Sequence, residues 1–276
     1  MMTKKEHAAS DAVLLKNAEL RQQYQGIEFL SDPSNYSMAD EWFDIVSPDH
    51  FWLKWRLEIL KKILPVHYDW GTVLDIGCGN GMVGEQIEKY YGCKTCGCDL
   101  NLTALRMVPG GRRRLCFYNI HEQHKEFEKA FSTILLMDVL EHVDDGVEFL
   151  RSVSFHMKPE GRLIINVPAI QMFYSKYDKV AGHIKRYSMD SLTQELELAG
   201  FQIEKAVYWG MSLIPLLLVR KVILNFYSDD KVIAVGFRPV SSFVNKALDL
   251  VGRLERRIFS AVLIGTSLMI VAKKKK

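Results

Sequence analysis

The chain has 276 residues, of which 48% are hydrophobic and 25% charged, and its formal net charge at pH 7 is +3. This composition is typical of a globular protein with a sizeable core in one or two domains. It excludes the strongly basic character that nucleic-acid-binding proteins usually have.

The N-terminal region is not expected to contain a secretory signal. Residues 1–7 lead into polar and acidic residues instead of the apolar run that such a signal requires. We therefore expect a cytoplasmic protein, and five cysteines, an odd number, fit a reducing compartment. Residues 1–48 are predicted to be an N-terminal extension that begins partly disordered or as a loose helix.

Closely spaced cysteines raise the question of a zinc site. The candidate zinc ligands are Cys93, Cys96 and Cys98, with Cys116 as a possible fourth. In a strand, however, side chains 96 and 98 point to one face and side chain 93 points to the other. Buried free cysteine is common, so we predict core packing and no metal site.

The central part of the chain alternates short apolar runs with amphipathic stretches, as in a parallel sheet covered by helices on both faces. Residues 49–210 are predicted to be this core domain. The predicted elements are a helix over 49–64, strands near 72–76, 94–99, 114–118, 132–138 and 162–167, helices over 82–91 and 146–157, and further strands over 201–208 and 266–272.

A glycine-rich turn follows the first predicted strand. Glycine at positions 77, 79 and 81 lets the backbone turn tightly and lets a ligand approach main-chain N–H groups at a helix N-terminus. A dinucleotide-binding turn has the spacing G-x-G-x-x-G, but here the spacing is G-x-G-x-G and residue 82 is Met. Asp75 would repel a pyrophosphate, yet it suits a ligand with an ammonium and a sulfonium. The turn therefore favours S-adenosylmethionine (SAM) over NAD.

The segment 73–81, V-L-D-I-G-C-G-N-G, resembles motif I of the class I SAM-dependent methyltransferases. Later segments follow in the order of that family. D-V-L-E-H-V at 138–143 resembles the branch that includes quinone-biosynthesis O-methyltransferases, and K-P-E-G at 158–161 resembles the turn before the fifth strand. The resemblance implies an α/β fold with a Rossmann-like seven-stranded sheet, preceded here by N-terminal helices.

The resemblance also assigns cofactor-binding residues. It implies that Asp99 holds the ribose hydroxyls, that Leu100 packs on adenine and that Asn119 meets the adenine edge. Arg56, in the helix before the sheet, is similar in type to a residue that meets the methionine carboxylate. The full set implied to bind SAM is Arg56, Asp75, Gly77, Cys78, Gly79, Gly81, Asp99, Leu100, Asn119, Ile120 and Asp138.

Two histidines, His142 and His183, are the predicted catalytic residues. The protein must align the acceptor for in-line displacement, and a hydroxyl acceptor must also lose its proton to a base. Histidine fits that need near neutral pH, and the resemblance places His142 beside the reaction centre. The alternative for His142 is a helix-start residue that is bonded only to nearby backbone.

Substrate-binding residues are predicted around His183, in a segment that resembles the S-x-x-D…G-H-x-R-R-Y-[ST] stretch of one bacterial branch. The segment follows the fifth strand, and open α/β sheets bind ligands outside the carboxyl ends of their strands. The predicted residues are Tyr174, Asp178, Arg186 and Tyr187. The alternative is structural, with Asp178 and His183 pinning the loop.

The last two strands are separated by about fifty-five residues, 211–265, which we predict to be a helical insert. Residues 211–226 are strongly apolar but too short to span a bilayer. Residues 242–259 are predicted to form an amphipathic helix, whose apolar side is Val244, Leu248, Val251, Leu254 and Ile258 and whose basic side is Lys246, Arg253, Arg256 and Arg257. Three partners stay open for the apolar faces: the domain itself, a second subunit in a homodimer, and a membrane surface. Residues 266–276 are predicted to be the final strand and a basic tail.

These patterns predict a SAM-dependent methyltransferase that acts on a small-molecule or lipid-linked acceptor, at oxygen rather than nitrogen or carbon. Nucleic acid is disfavoured because no N-P-P-[YFW] element follows the fourth strand and no basic groove contains interleaved aromatics. The alternative is a SAM-binding regulatory or scaffolding protein without turnover. Asp75 and Met82 argue against an NAD-linked oxidoreductase.

Overall fold

A computed structural model describes residues 24–33, 47–65, 67–109, 113–237, 241–259 and 262–275. At the start of the chain, a segment was predicted to be partly disordered or a loose helix. Up to residue 23, this segment lies outside the described residues.

Eight strands form one sheet within the described ranges. They are β1 (Ile27–Phe29), β2 (Val73–Ile76), β3 (Thr95–Asp99), β4 (Arg114–Phe117), β5 (Phe131–Met137), β6 (Met157–Pro168), β7 (Phe201–Trp209) and β8 (Ser267–Lys274). Their order is β1-β4-β3-β2-β5-β6-β8-β7. β8 is antiparallel to both neighbours, and the other paired strands are parallel. The seven predicted strands are confirmed, and β1 adds an eighth that was too short to show an alternating pattern.

The core helices cover both faces of the sheet. They are α1 (Phe51–Ile63), α2 (Met82–Tyr91), α3 (Leu102–Arg106), α4 (Gly146–His156), α5 (Lys176–Val180) and α6 (Met189–Leu198). Since successive strand residues point to opposite faces, Leu74 packs in the core that includes α4 and α6, whereas Val73 packs in the core that includes α1 and α2. The predicted α/β fold, with helices on both faces, is confirmed.

Between β7 and β8 the described residues form three α-helices, α7 (Ile214–Leu224), α8 (Asp229–Phe237) and α9 (Ser242–Ile258). β8 is antiparallel to both β6 and β7, so β7 runs in the same direction as the parallel strands. The helices therefore begin at the sheet edge where the parallel strands end.

Helix α9 is joined to the core by buried polar contacts. The Glu255 carboxylate accepts hydrogen bonds from the backbone N–H groups of Gly210 (2.9 Å) and Ser212 (2.7 Å), at the turn that follows β7. The Asn245 side chain accepts a hydrogen bond from the Phe51 N–H (2.9 Å) at the start of α1. These contacts hold α9 against α1 and the end of β7.

The insert has exposed apolar residues. Leu248 packs against the core, but Leu254 and Ile258, predicted on the same apolar side of α9, are 47% and 68% exposed. Helix α7 also has an exposed apolar side, formed by Leu216, Val219, Val222 and Ile223 and continued by Phe226. In the described part of the chain, no helix is long and apolar enough to cross a membrane.

Candidate functional site

The glycine turn connects the end of β2 to the start of α2. Gly77, Gly79 and Gly81 have φ angles of 69°, 54° and 75°, in the left-handed region that glycine adopts without strain. A Cβ at Gly77 would lie only 2.6 Å from Val139 Cγ2. Cys78 is buried against Gly97, so its side chain serves packing and only its backbone faces the turn.

Asp99 links the end of β3 to this turn. Its Oδ2 accepts a hydrogen bond from the Gly79 N–H (2.6 Å), and its Oδ1 accepts one from the Asn101 N–H (2.8 Å). Burial raises the pKa of Asp99, although the backbone hydrogen bond from Gly79 opposes the rise. Leu100 is partly buried beside them. The residues predicted to hold ribose and adenine therefore lie next to the glycine turn.

Asn119 and Ile120 follow β4 at the same edge of the sheet. The Asn119 N–H donates to Ser31 Oγ (2.8 Å), and its side-chain oxygen accepts from the His121 N–H (3.1 Å). Ile120 is buried in the core. Asn119 is thus held at the strand end, as its predicted role requires, while Ile120 contributes packing.

Asp75 is a buried carboxylate in β2, directly before the turn. Its Oδ2 has no hydrogen-bond partner in the described ranges. Burial raises the pKa of Asp75 to about 7, against the opposing charges of Arg113 and Arg56. Such an orphaned acceptor is uncommon inside proteins and marks a place where a ligand donor fits.

Arg113 lies against the turn, although it precedes β4 by one residue in the chain. It donates to the Gly81 carbonyl (2.9 Å) and forms an ion pair with Glu88 (2.8 Å). Sequence reasoning missed this role because nothing local indicates that an arginine before a strand will reach back to the turn.

A polar network joins α1 to the ends of β5, β6 and β7. Arg56 Nη1 donates to Asp138 Oδ2 (2.5 Å), and Asn166 Nδ2 donates to Asp138 Oδ1 (2.7 Å). Asn166 Oδ1 in turn accepts from Trp209 Nε1 (3.0 Å). Asp138 has a φ of 65°, which turns the chain sharply away from β5. Two predicted cofactor residues are thus brought together, and sequence reasoning missed Asn166.

The loop after β6 is built around Asp178, which is fully buried. Its Oδ1 accepts from His183 Nδ1 (3.0 Å) and Arg186 Nε (2.8 Å), and its Oδ2 accepts from the Ser175 N–H (2.8 Å). Burial opposes ionisation, but the hydrogen bonds and charges of His183 and Arg186 prevail and lower the pKa of Asp178. A permanently charged carboxylate therefore fixes the orientation of His183.

The residues predicted to bind substrate make hydrogen bonds within this loop, and their role as substrate contacts stays a prediction. Arg186 is buried against Asp178 and the Ala169 carbonyl, and the buried Tyr187 hydroxyl donates to Glu195 Oε2 (3.0 Å). The half-buried Tyr174 donates to the His183 carbonyl (2.7 Å). The structural alternative raised for this loop accounts for these polar groups.

His142 and His183 lie side by side, with ring centroids 4.8 Å apart. His142 Nδ1 lies 3.1 Å from the Gly182 carbonyl, an acceptor, so this nitrogen is the donor and Nε2 is the acceptor. Although His142 is exposed, desolvation by the surrounding loops lowers its pKa to about 4. His142 is therefore neutral at physiological pH.

Glu141 completes a group that the sequence analysis did not identify. It is fully buried, and neither carboxylate oxygen has a hydrogen-bond partner in the described ranges. Burial raises the pKa of Glu141 well above its usual range. Ligand atoms of Glu141, His142 and His183 all lie within 4.8 Å of one another, close enough to hold a metal ion. The prediction of no metal site can be tested at this group.

We expect the stability of the ligand-free protein to depend on pH through Asp75. Its pKa in the folded protein is about 7, against an ordinary value of 3.8, so the folded state binds this proton more tightly than the unfolded chain. The contribution of Asp75 to the free energy of unfolding therefore falls as pH rises from about 4 to about 7, and it stays lost above that range. Urea unfolding across this range should give a flatter curve for Asp75→Asn than for wild type. The exposed Asp144→Asn serves as the control, and a curve for Asp75→Asn parallel to wild type would contradict the assignment.

Comparison with known proteins places the chain in a family. A family model described as a methyltransferase domain matches residues 47–206. The ubiquinone biosynthesis O-methyltransferase of Aeromonas salmonicida is 26% identical over 146 residues, which cover 47% of this chain and 58% of that protein. The protein of the same name from Aliivibrio fischeri is 30% identical over 145 residues, with the same coverage of 47% and 58%. The chain thus spans little more than half the length of these relatives.

Solved structures share the fold. A SAM-dependent methyltransferase from Archaeoglobus fulgidus has a TM-score of 0.52 and 21% identity, covering 83% of this chain and 95% of that one. Phosphoethanolamine N-methyltransferase 2 of Haemonchus contortus, in complex with SAM, has a TM-score of 0.52 and 18% identity, with coverage of 82% and 53%. Because the methyltransferase-domain model matches more than half of the chain, the chain belongs to the family of class I SAM-dependent methyltransferases.

Proposed function

We propose that this protein transfers a methyl group from SAM to an oxygen atom of a small-molecule or lipid-linked acceptor. The observation that carries the proposal is the unpartnered Oδ2 of the buried Asp75 beside a glycine turn, on the same sheet edge as two adjacent histidines. The name shared by the curated relatives, ubiquinone biosynthesis O-methyltransferase, favours oxygen as the acceptor atom. A purely regulatory SAM-binding protein would have no need for two histidines whose Nε2 atoms can accept protons.

The residues at this edge fit the cofactor. The positive φ angles of the glycine turn keep it free of side chains at the start of α2, and Asp75 Oδ2 offers an acceptor for the cofactor's ammonium group. Asp99 would hold the ribose hydroxyls, with Leu100 and Asn119 beside the adenine. When bound, the cofactor supplies a methyl group on a sulfonium sulfur. Residues 49–210 with 266–276 are proposed to form this core, and the family match over 47–206 supports that division.

We propose that His183 is the general base and that His142 helps to align the acceptor hydroxyl. The Asp178 carboxylate holds the Nδ1 proton of His183, which leaves Nε2 with its lone pair. A neutral imidazole near the acceptor can take the hydroxyl proton as the oxygen attacks. Arg56, bound to Asp138, is proposed to direct its remaining donors to the methionine carboxylate.

We also propose that the exposed apolar side of the insert binds an anionic membrane surface. Helix α9 has exposed apolar residues, Leu250, Leu254 and Ile258, among the exposed basic residues Lys246, Arg253 and Arg257, and α7 adds a second exposed apolar side. This combination is typical of helices that lie on anionic lipid. The proposal places the sheet edge near a membrane that holds the acceptor.

The first test is cofactor affinity. Asp99→Ala should weaken SAM binding by roughly ten- to a hundredfold, because a lost hydrogen bond to a charged group typically costs about 1.5–3 kcal/mol. Isothermal titration calorimetry with SAM, its demethylated product and NAD measures the affinity and the choice of cofactor. Asp144→Ala, at an exposed position, is the control. Unchanged SAM affinity in a folded Asp99→Ala variant would refute the ribose assignment.

The second test is turnover. His183→Ala should slow methyl transfer by about 10²- to 10⁴-fold, as expected for loss of a general base. The measurement is transfer from isotope-labelled SAM into a cell extract, with the products identified by mass spectrometry. If both His183→Ala and His142→Ala keep wild-type rates, neither residue is the base. Loss of wild-type turnover on adding a chelator, restored by a divalent cation, would instead identify Glu141, His142 and His183 as metal ligands.

The third test is lipid binding. Neutralising Lys246, Arg253 and Arg257 to Gln should reduce co-sedimentation with anionic vesicles, and added salt should reduce it in wild type because surface charge is screened. Arg256 is left unchanged because it is half-buried, although it was predicted on the basic side of the helix.

The control neutralises the same number of exposed lysines elsewhere, Lys89, Lys94 and Lys125. Failure of wild type to bind anionic vesicles at low salt would eliminate the membrane proposal, and a dimer in sedimentation equilibrium would then identify a second subunit as the partner.

A further inference from the structure

The insert encloses one residue of the loop that carries His183. The Tyr177 ring is buried, and the Arg220 guanidinium of α7 lies 4.4 Å from the ring centroid. Gly236 of α8 also faces the ring, because a Cβ at Gly236 would lie 2.6 Å from Tyr177 Cδ2. Arg220 Nη1 also donates to the Gly236 carbonyl (3.1 Å), which joins these two residues. Arg220 and Gly236 therefore form a socket for the ring of Tyr177.

The socket is completed by apolar side chains from α7 and α8. Leu224, Val232 and Ile233 are buried and form one cluster with Tyr177. Because Gly236 presents no side chain, the ring can pack directly against the backbone of α8. The combination of a cationic group over the ring and an apolar surround stabilises one ring position.

Two further contacts tie the same loop to the insert. Lys176 Nζ lies 2.5 Å from the Tyr227 carbonyl and 2.9 Å from Asp229 Oδ1. Lys221 Nζ donates to the Met172 carbonyl (2.9 Å). The insert thus holds the loop on both sides of Ser175, and Ser175 is one of the residues that bind Asp178.

The position of Tyr177 determines the position of Asp178, its neighbour in the chain. Both lie in α5, a five-residue helix that is too short to be stable without tertiary contacts. Asp178 orients His183 through Nδ1. A displacement of α5 would therefore move the Asp178 carboxylate away from the His183 imidazole. The imidazole would then no longer be held in one orientation.

We infer that Arg220 and Gly236 are positioning residues, through which the insert keeps Asp178 and His183 aligned. The inference rests on the proposed function in that His183 is taken as the base. The alignment itself can be measured without turnover, because the Nδ1 proton of His183 is held by Asp178.

The experiment uses the full chain with three substitutions. Gly236→Ala puts a methyl group against the Tyr177 ring, although alanine at a helical position is favourable in itself. Arg220→Met removes the charge but keeps an unbranched side chain, and Arg220→Lys restores the charge. Lys231→Met, at an exposed position of α8, is the matched control. Nitrogen-15 spectra of the histidine rings report the Nδ1 proton of His183, calorimetry reports SAM affinity, and labelled SAM reports turnover.

We expect Gly236→Ala and Arg220→Met to broaden or abolish the His183 Nδ1 proton signal and to lower turnover at least tenfold, with SAM affinity unchanged. Arg220→Lys should recover part of the Nδ1 proton signal and part of the turnover, and Lys231→Met should match wild type. A normal Nδ1 signal in folded Gly236→Ala and Arg220→Met would overturn the inference. If Gly236→Ala fails to fold, comparison of Arg220→Met with Arg220→Lys decides whether the insert keeps Asp178 and His183 aligned. If wild type shows no turnover, the proposed function fails, while the Nδ1 signal still tests the socket.

Discussion

The ion pair between Arg56 and Asp138 is the interaction on which the arrangement of the sheet edge depends. Arg56 is buried in α1, and Asp138 stands at the end of β5 with a second bond to Asn166 of β6. Asp138 is half-buried, and removing it would leave the buried charge of Arg56 without compensation. The pair therefore fixes α1 relative to the sheet and keeps the chain turning at Asp138 toward His142. The cofactor residues and the histidines keep their relative positions because both groups are joined to this turn.

The same edge shows which features a sequence can predict. The strands and the glycine turn follow from local rules, since alternation along Val73 and Leu74 and positive φ at Gly77 depend on few neighbours. The partners of the polar groups depend on residues far away in the chain. Asn166 stands in an apolar strand, and Glu255 resembles one more surface residue of an amphipathic helix. Their roles became visible only when folding placed them beside Asp138 and the turn at Gly210.

Prediction was least reliable for the loop around His183 and for the insert. The sequence pattern correctly marked Asp178, His183 and Arg186 as a group, but it did not distinguish residues that bind one another from residues that would face a substrate. In the insert, helical periodicity identified α9, yet Leu254 and Ile258 are exposed. Periodicity gives the relative orientation of side chains around a helix, but the neighbouring elements decide which side is covered.

The central place of β8 has a consequence for how the chain folds during synthesis. β8 lies between β6 and β7, although it follows both of them in the chain. Until residues 267–274 are made, β6 and β7 expose unpaired edges, and the helices of the insert are already complete. Pairings between segments distant in sequence form slowly, and unpaired edges are open to association with other chains. β8 therefore joins two strands that are made before it, and their facing edges stay open to other chains until it pairs with them.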